Sequence, residues 1–215
     1  MRKPLTRELV IETAVNLADT SGIAALTMRK LAAELGVEAM SIYHHVANKD
    51  AILDGIGDHV AGEIDLSDEG DWKSTTWHRS LSARDALKRH PWAGMLWVSR
   101  LYVGPARMHY MDFSLRTFRE AGLEESLTHH AYHVVENHIL GFALQQANLA
   151  IDMSSENLAA LGEQFLEELP TDEYPDLALH VRQHVEEPPP GEEPEFEFGL
   201  RLILDGIERI HHSVQ

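Results

Sequence analysis

The stretch that decides the fold is Thr27–Lys49, TMRKLAAELGVEAMSIYHHVANK. Thr27 is a helix N-cap residue, because its hydroxyl can accept a hydrogen bond from an amide of the first turn. Met28, Leu31, Ala32 and Leu35 follow at helical spacing and form one apolar stripe. Gly36 ends that helix, since glycine adopts a positive φ at no steric cost. A third, short helix over about Ala39–His45 comes next, and Asn48-Lys49-Asp50 breaks it. Two short amphipathic helices joined by a tight glycine turn make a helix-turn-helix. Leu31, Leu35, Val37, Ile42 and Val46 supply its small core together with the preceding helix. Ala39, Met40, Ser41, Tyr43, His44 and His45 are left on or near the outer face of the third helix. Ser41 and Tyr43 carry hydroxyls, while Ala39 and Met40 offer apolar surface to a thymine methyl. A helix-turn-helix lays its second helix in the major groove with its N-terminal residues nearest the bases.

Working outward, the pattern stays helical. Thr6 can cap a first helix in which Val10, Ala14, Leu17 and Ala18 form a buried stripe, and Ser21-Gly22 stops it. A fourth helix runs from Lys49 towards Ile64, and the polar, turn-like residues 65–71 mark a domain boundary. Further helices are expected over about 72–89, 92–98, 105–121, 124–150, 155–168, 173–186 and 195–213. His90-Pro91, Gly104-Pro105 and Gly122 separate them. The acidic, proline-rich run Glu187–Pro194, EPPPGEEP, is expected to be a mobile loop. No stretch alternates strictly with a period of two, so strands are not expected. The chain therefore reads as all-α. A three-helix helix-turn-helix domain over 1–48 is joined by a connecting helix, 49–64, to a helical bundle over 65–215.

The charge distribution says where a nucleic acid can bind. The net charge is −17, from 18 basic and 35 acidic residues. Residues 1–50 carry Arg2, Lys3, Arg7, Arg29, Lys30 and Lys49 against Glu8, Glu12, Asp19, Glu34, Glu38 and Asp50, and so are neutral. All of the excess acidity lies downstream, where it would repel DNA and help keep the protein soluble. There is no cysteine, which excludes disulfides, zinc–thiolate sites and thiol nucleophiles and suits a reducing cytoplasm. No apolar run is long enough to span a membrane, and MRKPLTRELV is not followed by the apolar block of a signal peptide. A cytoplasmic protein with no membrane partner is expected.

The segment LTMRKLAAELGVEAMSIYHHVANKDAILDGI resembles the DNA-binding domain of the TetR family of transcriptional regulators. The matching features are Thr-x-Arg-Lys-Leu-Ala, Leu-Gly-Val-Glu, Tyr-x-His-Val and Asn-Lys, at fixed spacing over roughly residues 5–60. The resemblance implies that Thr27 and Arg29 open the second helix, with Arg29 reaching a base or phosphate. It places Ala39, Met40 and Ser41 at the base edges, and Tyr43, His45 and Lys49 on the phosphate backbone. Ala39 and Met40 stand where a polar residue followed by proline is expected, so the operator sequence should differ from that of the best-known members.

The resemblance also implies that residues 65–215 sense a ligand and dimerise. His90–Phe118 is rich in bulky apolar side chains, and the helix after it adds more. An apolar cavity with a few polar groups is the form of a small-molecule site. The candidate lining is Trp92, Met95, Leu96, Met108, His109, Asp112, Phe113, His133, Asn137 and Leu140, for a small hydrophobic or amphipathic effector. The landmarks of a magnesium–drug site are not recognisable, so tetracycline is not expected. His129, His133 and Glu136 fall at i, i+4 and i+7 and could hold zinc or nickel, but no third histidine shares that face. No metal or cofactor is expected.

A symmetric operator needs two recognition helices about 34–36 Å apart, which requires a homodimer. The pairing helices implied are 124–150 and 195–213. The second is apolar on more than one face, and Gly141, Gly199 and Gly206 would permit close approach. The implied function is a repressor that binds palindromic operator DNA and is released by a small-molecule inducer, with helix 49–64 as the lever. A DNA-binding activator or a ligand-independent regulator is the alternative. A small helical enzyme is the other rival, with His109 and Asp112 at i, i+3 as an acid–base pair. No nucleophile or phosphate loop accompanies that pair, so no catalytic residue is assigned.

Overall fold

The computed structural model describes residues 4–100, 104–148, 155–185 and 193–214, and among these there is no strand. Eleven helices follow one another: α1 (Arg7–Ser21), α2 (Met28–Leu35), α3 (Ala39–Ile42), α4 (Lys49–Ala61), α5 (Trp72–Arg89), α6 (Ala93–Ser99), α7 (Pro105–Glu120), α8 (Glu125–Asn148), α9 (Ser155–Glu168), α10 (Pro175–Val185) and α11 (Glu195–Val214). A 3₁₀ turn, Ile23–Ala25, joins α1 to α2. The all-α expectation holds. The expected loop at Glu187–Pro194 lies mostly outside the described residues, as do Leu101 and Tyr102 of the aromatic-rich stretch.

Local chemistry sets the helix ends. The Thr6, Thr27 and Asn48 side chains accept from the amides of Leu9 at 3.2 Å, Lys30 at 3.2 Å and Ala51 at 2.8 Å. Asp71 accepts from the amides of Lys73 and Ser74, both at 2.9 Å. Gly36 is left-handed at φ 62°, with its amide bonded to the Ala33 carbonyl and that of Val37 to Ala32, which is a Schellman closure. Two helices are shorter than expected. α3 ends at Ile42, where the His45 and Val46 amides both turn back onto the Ile42 carbonyl and tighten the chain. α4 ends at Ala61, where the Gly62 amide is shared among the carbonyls of Asp58, His59 and Val60.

The chain divides into two compact units. The larger comprises residues 1–147 and 199–215. Within it α1 packs on α2 and α4, α2 on α3, and α4 on α5, α6 and α7. Val10, Ala14, Leu17, Leu31, Ile42, Ile52, Ile56 and Val60 are buried. Gly55 brings α4 close to α1, since a Cβ there would lie 2.5 Å from Ile11 Cδ1. Phe113, Phe118, Val135, Ile139, Leu200 and Leu204 are buried further along the same unit. In the smaller unit, residues 148–198, α9 packs along α10. Within the larger unit α4 packs on α1 on one side and on α5, α6 and α7 on the other.

Candidate functional site

The helix-turn-helix exposes a compact set of side chains. Arg29 is exposed on α2 just after the Thr27 cap. On α3, Ala39 and Ser41 are half-buried and Met40 is 71% exposed, an unusual position for a large apolar side chain. Tyr43 is exposed, His45 is half-buried, and Lys49 is exposed at the start of α4. The eight residues expected to meet DNA therefore run from the cap of α2 through α3 and the turn after it to the first residue of α4, none of them buried. Lys30 and His44 are exposed beside them.

α4 carries this face to the rest of the unit. Trp97 Nε1–H donates to the Gly57 carbonyl at 2.9 Å. The Arg107 amide donates to Asp58 Oδ1 at 2.9 Å, and the Arg107 guanidinium donates to the Trp97 carbonyl at 2.8 Å. Arg100 binds Asp54 through Nε and reaches Asp50 Oδ1 at 3.2 Å. A second tie joins α1 to the α5–α6 turn: Asp19 Oδ1 accepts from Trp92 Nε1–H at 2.7 Å and faces His90 Nδ1 at 2.8 Å. His90 Nε2 faces Glu63 Oε1 at 3.1 Å, and Arg89 donates to Glu63 Oε2 at 2.6 Å. Burial would raise the Glu63 carboxyl, but the Arg89 hydrogen bond and the His90 charge hold it below its ordinary value.

Between α5, α7 and α8 lies a buried polar cluster. Arg79 Nη1 donates to Glu136 Oε1 at 2.8 Å, and the Tyr110 hydroxyl donates to the same oxygen at 2.7 Å. The Arg79 guanidinium lies 5.1 Å from the centre of the Tyr110 ring. Arg79 and Thr76 are each 1% exposed, and among the described residues neither Arg79 Nη2 nor Thr76 Oγ1 has a hydrogen-bond partner. Burial opposes the Arg79 charge, yet Tyr110 and Glu136 hold its pKa above the ordinary value. Burial likewise raises Tyr110 well above 10.0 and Tyr132 to about 12, with Glu136 adding to both. Burial pulls the nearby Arg107 below its ordinary value.

The pocket residues expected from the pattern are distributed differently. Trp92 and Phe113 are buried, and Leu96 and Leu140 are half-buried. Met95, Met108, His109, Asp112, His133 and Asn137 are exposed on this subunit. Phe113 lines a surface pocket of about 550 Å³ with Trp72, Thr75 and Arg116, which none of the other nine enters. The face His129–His133–Glu136 is split: the two histidine rings stack edge-on 4.5 Å apart, while Glu136 turns inward to Arg79. Among the described residues no group of three metal-binding side chains gathers. Thr76, Arg79 and Tyr110 were not among the expected site residues, and Glu136 was expected only as a metal ligand beside His129 and His133. Arginine and glutamate on long helices ordinarily face water, so the only signal available was their failure to fit a solvent-facing stripe.

Two family descriptions match in sequence order. "Bacterial regulatory proteins, tetR family" covers residues 10–56, and "Tetracyclin repressor-like, C-terminal domain" covers residues 66–210. The chain belongs to the tetR family. It is a helix-turn-helix transcriptional regulator, not an enzyme. The transcriptional repressor DrrR1 of Streptomyces coeruleorubidus is 31% identical over 95% of this chain and 77% of that protein. The class D tetracycline repressor of Escherichia coli is 30% identical over 82% of this chain and 85% of its own. The tetR-family protein ActR of Streptomyces coelicolor, solved in complex with actinorhodin, is 26% identical, covers 99% of both chains and superposes with a TM-score of 0.81. Among the described residues no helix of this tetR-family chain is long and apolar enough to cross a membrane.

Proposed function

We propose that this regulator is a homodimeric repressor that binds palindromic operator DNA and releases it when a small molecule occupies the core around α5, α7 and α8. One observation carries the reading: α4 is shared. Its first residue, Lys49, is exposed directly after the turn that follows α3, while Gly57 and Asp58 further along are held by Trp97 and Arg107. A rearrangement of α6 or α7 is thereby transmitted to the angle of the reading helices. A ligand can shift that angle only by its different affinity for the two arrangements, and the operator weakens ligand binding by the same factor. Arg29, Ala39, Met40 and Ser41 read bases from the second and third helices, and Thr27, Tyr43, His45 and Lys49 hold the backbone.

Dimerisation is supported by α8 and α11. Val134, Phe198, Leu202 and Ile210 are large apolar side chains exposed on a single subunit. A Cβ at Gly141 or Gly206 would meet nothing within 4 Å, so these positions leave room for another helix. The protein works in the cytoplasm, and its effector is a small molecule rather than a metal or prosthetic group. The related proteins named as repressors favour repression over activation. The test is selection from a random DNA library with purified protein, followed by titration of the enriched duplex. The expected winner is palindromic, binds two chains per duplex and loses affinity with salt. A non-palindromic winner bound by one chain would refute the dimeric reading.

A further inference from the structure

A buried arginine normally uses its whole fork. Arg79 uses half of it: Glu136 takes Nη1, Tyr110 shares that same carboxylate oxygen, and the Nη2 edge is left without a partner. Thr76 stands three residues earlier on α5, on the same helix face, with its hydroxyl equally buried and equally without a partner. Leaving such donors unmade in a dry interior is costly, and native proteins do so rarely. Glu136 is not compensated by Arg79 alone in any simple one-to-one pair, since it also anchors Tyr110; the cluster is hydrogen-bonded on one side and carries unpaired donors on the other.

We infer that Arg79 Nη2 and the Thr76 hydroxyl form the head of an effector site that takes a carboxylate or an equivalent planar oxyanion. The inference rests on the ligand-responsive reading above and names the chemistry of that site. A guanidinium only donates, and its fork matches a two-oxygen anion better than a neutral carbonyl. Thr76 supplies a further donor from the preceding turn. Glu136 and Tyr110 fix the guanidinium plane from the far side, so they act as positioning residues that do not touch the ligand. Tyr132 and Arg107, on the α8 and α7 sides, add a partly buried hydroxyl and a second cation to the surroundings. The effector's acidic group is thus read inside the core, and its apolar body lies among the surrounding aromatic side chains.

The experiment uses the full-length protein without DNA. Formate, propionate and benzoate are titrated against formamide, propionamide and benzamide by ligand-observed NMR and calorimetry. At least one acid is expected to bind about tenfold or more tightly than its amide, the scale of a charge-assisted pair in a desolvated site. Thr76→Val keeps the shape and removes the hydroxyl. It should raise the melting temperature of the free protein, because an unpaired buried hydroxyl is gone, and weaken the acid about tenfold. Arg79→Lys should retain a weaker preference for acids. Three results overturn the inference: no acid binds, acids bind no better than amides, or acid binding is unchanged in Thr76→Val. Operator binding is measured separately on the same preparations. Its absence would sink the regulator reading and leave the acid site standing, so the two failures are told apart.

Discussion

The Arg79–Glu136–Tyr110 cluster makes a quantitative prediction about stability. Glu136→Leu removes the carboxylate that Arg79 Nη1 and the Tyr110 hydroxyl reach, at 2.8 and 2.7 Å. Arg79 is 1% exposed, so it cannot turn to water. Breaking a buried pair by deleting one partner typically costs about 3–5 kcal/mol, because an uncompensated charge stays behind. For a chain of this size that corresponds to a fall in melting temperature of about 6–20 °C. Replacing the whole cluster by apolar side chains of similar volume (Arg79→Met, Tyr110→Phe and Glu136→Leu together) strands nothing, and such replacements are often close to neutral. The triple variant should therefore be more stable than Glu136→Leu alone by at least about 2 kcal/mol. The assay is urea unfolding at one fixed protein concentration, since dimer stability depends on concentration. A triple variant less stable than the single one, or a single variant within about 1 kcal/mol of the parent, would show that Glu136 does not neutralise Arg79 as described.

Three further outcomes follow from the reading face and its tether. Lys49→Ala should weaken binding to every DNA sequence alike and lower the salt slope by about one unit; an unchanged slope in a salt titration contradicts a phosphate contact. Met40→Gln puts a hydrogen-bonding group at the most exposed apolar position of α3, and a repeated library selection should show a changed base preference at one position of each half-site, with adenine favoured; an identical consensus argues against α3 facing the bases. Glu63 is held below its ordinary value of 4.5, so it contributes stability that is present above pH 4.5 and lost as pH falls below it. The acid limb of the melting curve should therefore be shallower in Glu63→Gln, and parallel limbs would show that the Arg89–Glu63–His90 contact does not contribute.

What was legible in the sequence was local. Thr6 and Thr27 cap helices through amides three residues away, and Gly36 closes α2 within one turn, whereas Asn48 and Asp71, read only as breaks, proved to be caps as well. Such signals survive without knowledge of the tertiary structure, and the reading helices were located by them. α3 proved shorter because tightening onto the Ile42 carbonyl depends on how Tyr43–Val46 pack, and no residue in that run announces a stop. The core cluster was not legible because its members lie 26 and 57 residues apart, and helical periodicity carries no information across such separations. Glu136 shows the difficulty plainly: its spacing aligned it with His129 and His133, whereas its side chain belongs to the opposite neighbours. Along α7 apolar side chains stand on both sides; Met108, expected in the pocket lining, is 53% exposed, whereas Tyr110, which was not, is 2% exposed.

The sharing of α4 fixes where this protein can be cut and rejoined. A graft that exchanged only the residues up to the Asn48 cap would keep the beam native to its sensor but would lose the fit of Ile11 against Gly55. A graft ending in the loop after Ile64 would preserve that fit and import a foreign set of contacts for Trp97, Arg100 and Arg107. A chimera that keeps its response should therefore take the whole of α1–α4 from the donor and restore, on the imported α4, the acidic side chains at positions 54 and 58 and the small residue at position 57. The specificity of the reader is then portable, and the mechanical joint travels as three side chains.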